Sequence, residues 1–432
     1  INKGYNLSGI VDTDIIGTAR PQGGAYDIGA YEYVFNTYYY ASPSGSGTTC
    51  SSVLPCSPNY AINTKASAGD TVLFKDGNYT TSTYSGINQN IYINKTGSEG
   101  RPITLKSENK WGAKIICPNS QLYYNGFFAN SDKSYINIED FEISNCGQGV
   151  YINNNNDYWT IRGNKIHDSG QGIQLGTTID YVTIDGNVIY NFGVAGSNQY
   201  HGIYWRGASP TVINNIVYNM TAGSLGAYIH GGNDSGTPPS GTLTIANNTM
   251  YGLTNGSNMV RPYGVLTGFA AINVYNNIAY ATNTTTKFFS IGSQLTDSRY
   301  SIKNNMLYNI TYPCGDNTSA HCAAANIAGN INSDPLFTAN GSDFTLKPTS
   351  PAINRGISTN APAVDYLGVA RPQGSGYDIG AYEYAGAASN SADVNNDGFV
   401  NIQDIQICVK VITGALTNSR ADVNGDGVKN IK

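Results

Sequence analysis

The sequence predicts an all-β solenoid of stacked parallel strands followed by a small calcium-binding module. Three observations carry the prediction: a recurring octet, a second strand family between its copies, and a composition in which amides and hydroxyls replace charge. The octets are IRGNKIHD (161 to 168), IDGNVIYN (184 to 191), VINNIVYN (212 to 219), IANNTMYG (245 to 252), VYNNIAYA (274 to 281) and IKNNMLYN (302 to 309). Their starts lie 23, 28, 33, 29 and 28 residues apart, the period of a solenoid. Each octet reads as strand, tight corner, strand, with no helical stripe between copies. The fourth position is always asparagine: Asn164, Asn187, Asn215, Asn248, Asn277 and Asn305. Asparagine tolerates left-handed backbone at a corner, and stacked amides hydrogen-bond from coil to coil.

The second strand family is GVYI (149 to 152), GIQL (172 to 175), GIYW (202 to 205), GAYI (226 to 229) and YGVLT (263 to 267). Octet, strand and loops together make one coil, and coils that stack in parallel exclude a sandwich, whose strands reverse at every turn. At roughly 4.8 Å per coil, Cys117 and Cys146, 29 residues apart, fall near each other in adjacent coils.

The chain has 432 residues, a net charge of −5 and 12% charged residues, about half the usual share of roughly 25%. Polarity rests instead on 50 Gly, 33 Tyr and about 50 Asn. With 40% apolar residues distributed throughout, disorder is excluded. No run of Lys or Arg points to nucleic acid as a partner, and no stretch of about 18 apolar residues predicts a membrane span. Cys50 and Cys56, six apart, and Cys314 and Cys322, eight apart, sit in loops. That spacing suits small disulfide-closed loops better than metal binding, and places the chain outside the cytosol, extracellular or attached to a cell surface. The chain opens at Ile1 without Met or signal peptide, which reads as a processed product or an excerpt.

The octets, together with AGDTV (68 to 72), DGNYT (76 to 80) and the stretch SDPLFTANGSDFTLKPTSPAINRG (333 to 356), resemble the right-handed parallel β-helix proteins of the pectate-lyase-like superfamily. The resemblance runs over about residues 38 to 384, with an opening segment at 38 to 106 and a closing segment at 333 to 384. It implies the fold and, among several options, polysaccharide cleavage; that superfamily also holds hydrolases, epimerases, adhesins and structural proteins.

A duplication frames the solenoid. The stretch 354 to 384, ending RPQGSGYDIGAYEY, recurs at 2 to 33, ending RPQGGAYDIGAYEY, so that Arg20 matches Arg371, Asp27 matches Asp378 and Tyr33 matches Tyr384. The motif resembles a surface-anchor-associated closing domain of large bacterial extracellular β-helix proteins. RPQG offers a proline-led turn, and YDIGAYEY alternates as a final strand would, so it is expected to close the last coil. Residues 1 to 34 are then the tail of a preceding unit, a cap lent to a neighbouring copy, or an internal cap. The remaining divisions are the β-helix at 35 to 386, a linker at 387 to 392 and the terminal module at 393 to 432.

In that module, DVNNDGFVNIQD (393 to 404) places Asp393, Asn395 and Asp397 at the first, third and fifth positions of a calcium loop, with Gly398 at the turn and Asp404 at the twelfth. Phe399 supplies a carbonyl and Asn401 a water-mediated contact. Ile402, Ile405, Val409 and Ile412 follow at helical spacing. A second loop carries Asp422, Asn424, Asp426 and Val428. Duplicated loops with Asp at the twelfth position resemble a dockerin module, which implies an α-helical calcium-loaded plug for a cohesin-like partner; the second loop stops short of its twelfth position.

On the solenoid, aligning GIQLG, GIYWR and GAYIH places Gln174, Tyr204 and Tyr228 in one column and Arg206 with His230 in another, all facing outward, with His201 at the start of its strand. Tyrosine faces suit sugar rings, arginine suits a uronate carboxylate, and His or Tyr can act as base or acid. Tyr204, Arg206, Tyr228, His230 and His201 are therefore the catalytic candidates, and Gln174, Tyr204, Tyr228 and Arg206 the substrate-binding ones. His167 and Asp168 read as corner residues. Residues 140 to 310 hold no acidic calcium cluster. The reading is a secreted carbohydrate-interacting β-helix with lyase or hydrolase activity, its partner a polysaccharide or cell-surface glycan, tethered through the dockerin-like tail. The competing class is a fibre or cell-surface subunit that joins neighbouring copies of itself end to end through the duplicated segment.

Overall fold

The structure, a computed structural model, describes residues 2–15, 20–21, 25–32, 36–80, 89–120, 124–222, 224, 226–233, 240–252, 258–264, 268–282, 286–289, 299–314, 326–386, 406, 407 and 409. Three stacks of parallel strands, of eleven, nine and nine members among the described residues, form the walls of a parallel β-helix. In each coil the chain passes through the eleven-stranded sheet (sheet one), turns the octet corner into sheet two, and crosses to sheet three before returning. Period-two alternation drives one side of every strand inward. Ile161, Ile184, Val212 and Ile245 stack from sheet one, and Ile166, Ile189, Val217 and Met250 from sheet two. All eight are fully buried, each at a gain of roughly 1.5–3 kcal/mol over exposure.

The asparagine column lies where the octets predict it. Asn187 donates Nδ2 to Asn215 Oδ1 at 3.0 Å, and that same oxygen accepts the Asn187 backbone N–H at 3.0 Å. Asn215 repeats the pair on Asn248, Asn248 on Asn277 and Asn277 on Asn305. Asn330, which the octet search missed, extends the column. At its other end Asn164 accepts from the Phe141 N–H at 3.0 Å. One expectation is corrected. The left-handed residue is the third of the octet, not the fourth: φ is 67° and 63° at Gly163 and Gly186, then 56°, 55°, 55° and 54° at Asn214, Asn247, Asn276 and Asn304. The fourth residue can then turn its side chain inward and bond the next coil.

The opening edge of sheet three is covered. A helical turn at Pro58–Tyr60, continued through Ala61–Lys65, presents Asn59 Oδ1 to the Tyr92 N–H and Asn63 Nδ2 to the Tyr92 carbonyl. Side-chain amides thus satisfy the edge backbone, the usual remedy for an exposed strand. Cys50 pairs with Cys56 and Cys117 with Cys146, at Cα separations of 4.7 and 4.9 Å; Cys322 lies outside the described residues.

The closing segment departs from expectation in place and form. It forms no strand on the last coil, because its polar groups are engaged internally and by the flank of earlier coils. Arg371 and Glu383, both with fully buried side chains, pair at 2.8 Å, and Glu383 accepts the Gln373 and Asp378 N–H groups. Ile379 and Ala381 insert against Ile216 and Ile278 on the outer face of sheet two. Asn214, Asn247, Asn276 and Asn304 donate to the carbonyls of Val364, Asp378, Ile357 and Arg355 at 2.8 to 3.0 Å. The third octet position is asparagine in these covered coils and glycine at 163 and 186: the left-handed corner there also anchors the returning chain.

Asn215→Ala should remove the acceptor of the buried Asn187 N–H and the side-chain donor to the Ile184 and Ile213 carbonyls, while Asn248 keeps the Asn215 backbone N–H. At about 1–3 kcal/mol per buried group, the loss should reach roughly 3–5 kcal/mol, read as a fall in urea midpoint with unchanged slope.

Candidate functional site

The outer face of sheet three carries the candidate site. Its strands Gln171–Thr177, Ile203–Arg206, Ala227–Asn233 and Asn258–Gly264 are consecutive neighbours. Ile173, Ile203, Ile229 and Val260 pair across them and are buried. The next residue on each strand therefore faces outward, giving the column Gln174, Tyr204, His230, Arg261. Below it the column continues through Tyr151, Phe128 and Tyr92.

The register differs from the sequence alignment by two residues. His230, not Tyr228, stands opposite Tyr204. Tyr228 lies near the start of its sheet-three strand, fully buried, its hydroxyl donating to the Tyr251 carbonyl at 3.2 Å and its ring edge-on to Phe192. It is a core residue, and the expectation that it faces the groove is corrected. Gln174 keeps its place and accepts a hydrogen bond from Gln148. The fifth strand, expected at 263 to 267, lies at Asn258–Gly264. That shift brings Arg261 beside His230, a residue the sequence reading missed because the misplaced strand left it in a loop.

His201, Tyr204, Arg206 and His230 do come together. The two imidazoles stack with centroids 4.1 Å apart, and Tyr204 lies 4.7 Å from His230 and 5.2 Å from His201. Arg206 donates Nε to the Tyr204 hydroxyl at 2.7 Å. Behind them Trp205 packs inward so closely on Gly231 that no Cβ fits there. Hydrogen bonds fix both tautomers. His201 Nδ1 accepts the Ala227 N–H at 3.0 Å, so its proton sits on Nε2. His230 Nδ1 lies 2.7 Å from the Arg261 carbonyl and must carry the proton, which leaves Nε2 as the basic nitrogen.

Burial is the first cause holding both rings neutral. His201 and His230 are 2% and 6% exposed. His230 is pushed down to about 4, by burial and then by the Arg261 and Arg206 charges. His201 is driven far below its ordinary value by burial, then by His230, Arg261 and Arg206. Among the described residues, the fixed charges acting on the two rings are the arginines Arg261 and Arg206. Arg206 and Arg261 are partly exposed and form the accessible rim. The arrangement offers a neutral base, a hydroxyl polarised by a guanidinium, and two cations for an anionic group.

Elsewhere, His167 sits on the outer face of sheet two, bridged to Asp168 at 2.6 Å and Glu142 at 3.1 Å and stacked on Tyr190. Among the described residues no group of three His, Cys, Asp or Glu could hold a metal ion. Asp393, Asn395, Asp397, Phe399, Asn401, Asp404, Asp422, Asn424, Asp426 and Val428 lie outside the described residues; Gln406, Ile407 and Val409 are helical, where the helix after the first loop is expected. No described helix is long and apolar enough to cross a membrane.

The chain resembles solved parallel β-helix proteins of low identity. A pectate lyase, Pel9A, aligns with a TM-score of 0.48 at 19% identity, over 81% of this chain and 96% of its own. A rhamnogalacturonan lyase aligns with a TM-score of 0.43 at 13% identity, over 70% and 91%. The tailspike gp49 of Acinetobacter baumannii bacteriophage Fri1, a capsular polysaccharide depolymerase, aligns with a TM-score of 0.42 at 10% identity, over 74% and 65%. No family model and no curated protein matches the chain.

Neutral imidazoles tie stability to pH. The unfolded chain binds protons below the ordinary value of 6.5, whereas folded His230 does so only near 4. Stability should therefore fall as pH drops from 6.5 toward 4, by at most about 1.4 kcal/mol per unit for each ring. Urea unfolding between these limits should show the slope, and His201→Gln with His230→Gln should flatten it.

Proposed function

We propose that this chain is an extracellular polysaccharide lyase acting on a uronate-containing glycan. The observation that carries the reading is the pair of stacked, neutral imidazoles beside Tyr204 with Arg206 and Arg261 at the rim. Hydrolysis of a glycoside ordinarily needs two carboxyl groups about 5–9.5 Å apart, whereas the fixed charges that act on these rings among the described residues are cationic, from Arg206 and Arg261; elimination needs a base and a cation.

In this mechanism the arginines hold the uronate carboxylate and stabilise charge that develops as the adjacent proton leaves. His230 Nε2 takes that proton from C5. The C–H electrons form the C4–C5 double bond, the C4–O bond breaks, and the departing oxygen takes its proton from the Tyr204 hydroxyl. Arg206, already bonded to that hydroxyl, stabilises the phenolate until water reprotonates it. His201 supports His230 by stacking. The two disulfides fit an oxidising compartment.

Product formation is followed by the ultraviolet absorbance of the unsaturated uronate, with polygalacturonate and alginate as substrates. His230→Ala should lower kcat at least about 100-fold, and Arg206→Ala should both raise KM, through the lost carboxylate contact, and lower kcat, through the lost support of the Tyr204 phenolate. For the wild type, kcat/KM should fall on the acid side near pH 4, where His230 protonates. Full activity in both variants would discard the site.

The terminal module is proposed as a calcium-dependent plug for a cohesin-like partner, on the oxygen-ligand spacing from Asp393 to Asp404. Calorimetry should detect calcium uptake that Asp393→Ala with Asp397→Ala removes; uptake unchanged in that variant would rule out the first loop.

A further inference from the structure

We propose that residues 2–32 are a second docking motif, built to seat on the outer flank of another parallel β-helix that presents the same column of left-handed asparagines. The support is a comparison of the two copies of the motif within this molecule. Their internal frames share most of their bonds; the arginine–glutamate contact is the exception, Arg371 Nη1 meeting Glu383 at 2.8 Å and Arg20 Nε approaching Glu32 at 3.8 Å. Arg20 donates Nη2 to the Gly29 carbonyl at 2.9 Å, as Arg371 does to Gly380 at 3.0 Å. Glu32 accepts the Asp27 N–H at 3.1 Å, as Glu383 accepts that of Asp378 at 3.1 Å. Asp14 accepts the Glu32 N–H at 3.0 Å, as Asp365 accepts that of Glu383 at 2.9 Å. Even a connecting backbone bond is kept: Ile15 N–H to the Ala30 carbonyl at 2.9 Å, and Tyr366 N–H to the Ala381 carbonyl at 2.9 Å.

What differs is the far side. In the C-terminal copy Ile379 and Ala381 are wholly buried on the flank, and Tyr366 and Tyr382 pack beside them. The matching Ile28, Tyr31 and Ile15 are 77%, 63% and 69% exposed. An apolar face held by a buried polar frame, with its twin showing what covers it, is a docking surface rather than scattered surface hydrophobicity. The twin also defines the partner. Its carbonyls at Val364, Ile357 and Asp378 take amides from Asn214, Asn276 and Asn247, while Ile379 meets aliphatic side chains of sheet two. This molecule's own flank is already filled by residues 354 to 384, so the motif at 2–32 requires a β-helix whose flank is open.

The direct test is a full-length chimera in which residues 2–33 also replace 354–384. It should unfold cooperatively within about 3 °C of the parent, and Ile28→Asp placed in the grafted copy should lower its Tm by at least about 8 °C. Loss of cooperative unfolding in the chimera, or indifference to that substitution, would overturn the proposal. A second measurement opens the flank instead. Full-length protein with Ile379→Asp and Ala381→Asp should self-associate in a concentration-dependent manner by analytical ultracentrifugation, and Ile28→Asp with Tyr31→Asp at the N-terminal copy should return it to monomer. A monomer with the opened flank, or association that survives the second pair, would count against it.

Discussion

Everything in this molecule depends on consecutive coils keeping one height per turn, and the buried amide column enforces it. Asn215 shows the pattern: its side chain accepts two hydrogen bonds from Asn187 in the coil below and donates to Asn248 in the coil above, to the Ile184 carbonyl below and to Ile213 in its own coil. A one-residue slip would leave several such groups unpaired in the core, each costing about 1–3 kcal/mol, and would also turn the inward isoleucines outward. Coil length is free to vary between 23 and 33 residues because the loops absorb the difference while the corner resets the register.

The same corner does a second job through its left-handed residue. Glycine accepts that backbone at no steric cost, whereas asparagine also brings an amide pointing sideways. Asn214, Asn247, Asn276 and Asn304 use that amide to hold the returning chain. The flank is thereby specified by a polar code along the axis and an apolar strip beside it. Such a pairing resists sliding, because displacement by one coil moves every carbonyl away from its amide together.

The parts of the fold written as repeats were legible in the sequence: the octets, the column from Asn164 to Asn305 and the Cys117–Cys146 bridge all follow from period and stacking distance. Site register was not, because a two-residue shift preserves the in-and-out alternation that periodicity detects. Tyr228 and His230 have the same parity, so only the pairing of Ile229 with Ile203 separates core from groove. Arg261 was hidden for a related reason: with the fifth strand placed at 263 to 267 it fell outside the run, whereas the strand spans Asn258–Gly264. The closing motif was legible as a unit but not in its placement, since YDIGAYEY alternates like a strand while Asp378 and Glu383 are consumed by buried bonds to Asn354, Gln373 and Arg371.

The electrostatics of the candidate pocket follow from this architecture. Parallel coils about 4.8 Å apart force Tyr204, His230 and Arg261 into neighbouring rungs whatever their charges. Two cations beside two imidazoles would be repulsive if the rings were charged: at about 5 Å and an effective dielectric near 20, a pair of like charges costs about 3 kcal/mol. The rings remain neutral instead, and burial is the larger reason. An anion lodged between Arg206 and Arg261 would cancel the second contribution while leaving the first, so His230 would become a stronger base on binding. Under the lyase reading, the basicity of the pocket is coupled to occupancy: the carboxylate that marks the substrate also removes the charge that had held the base in check.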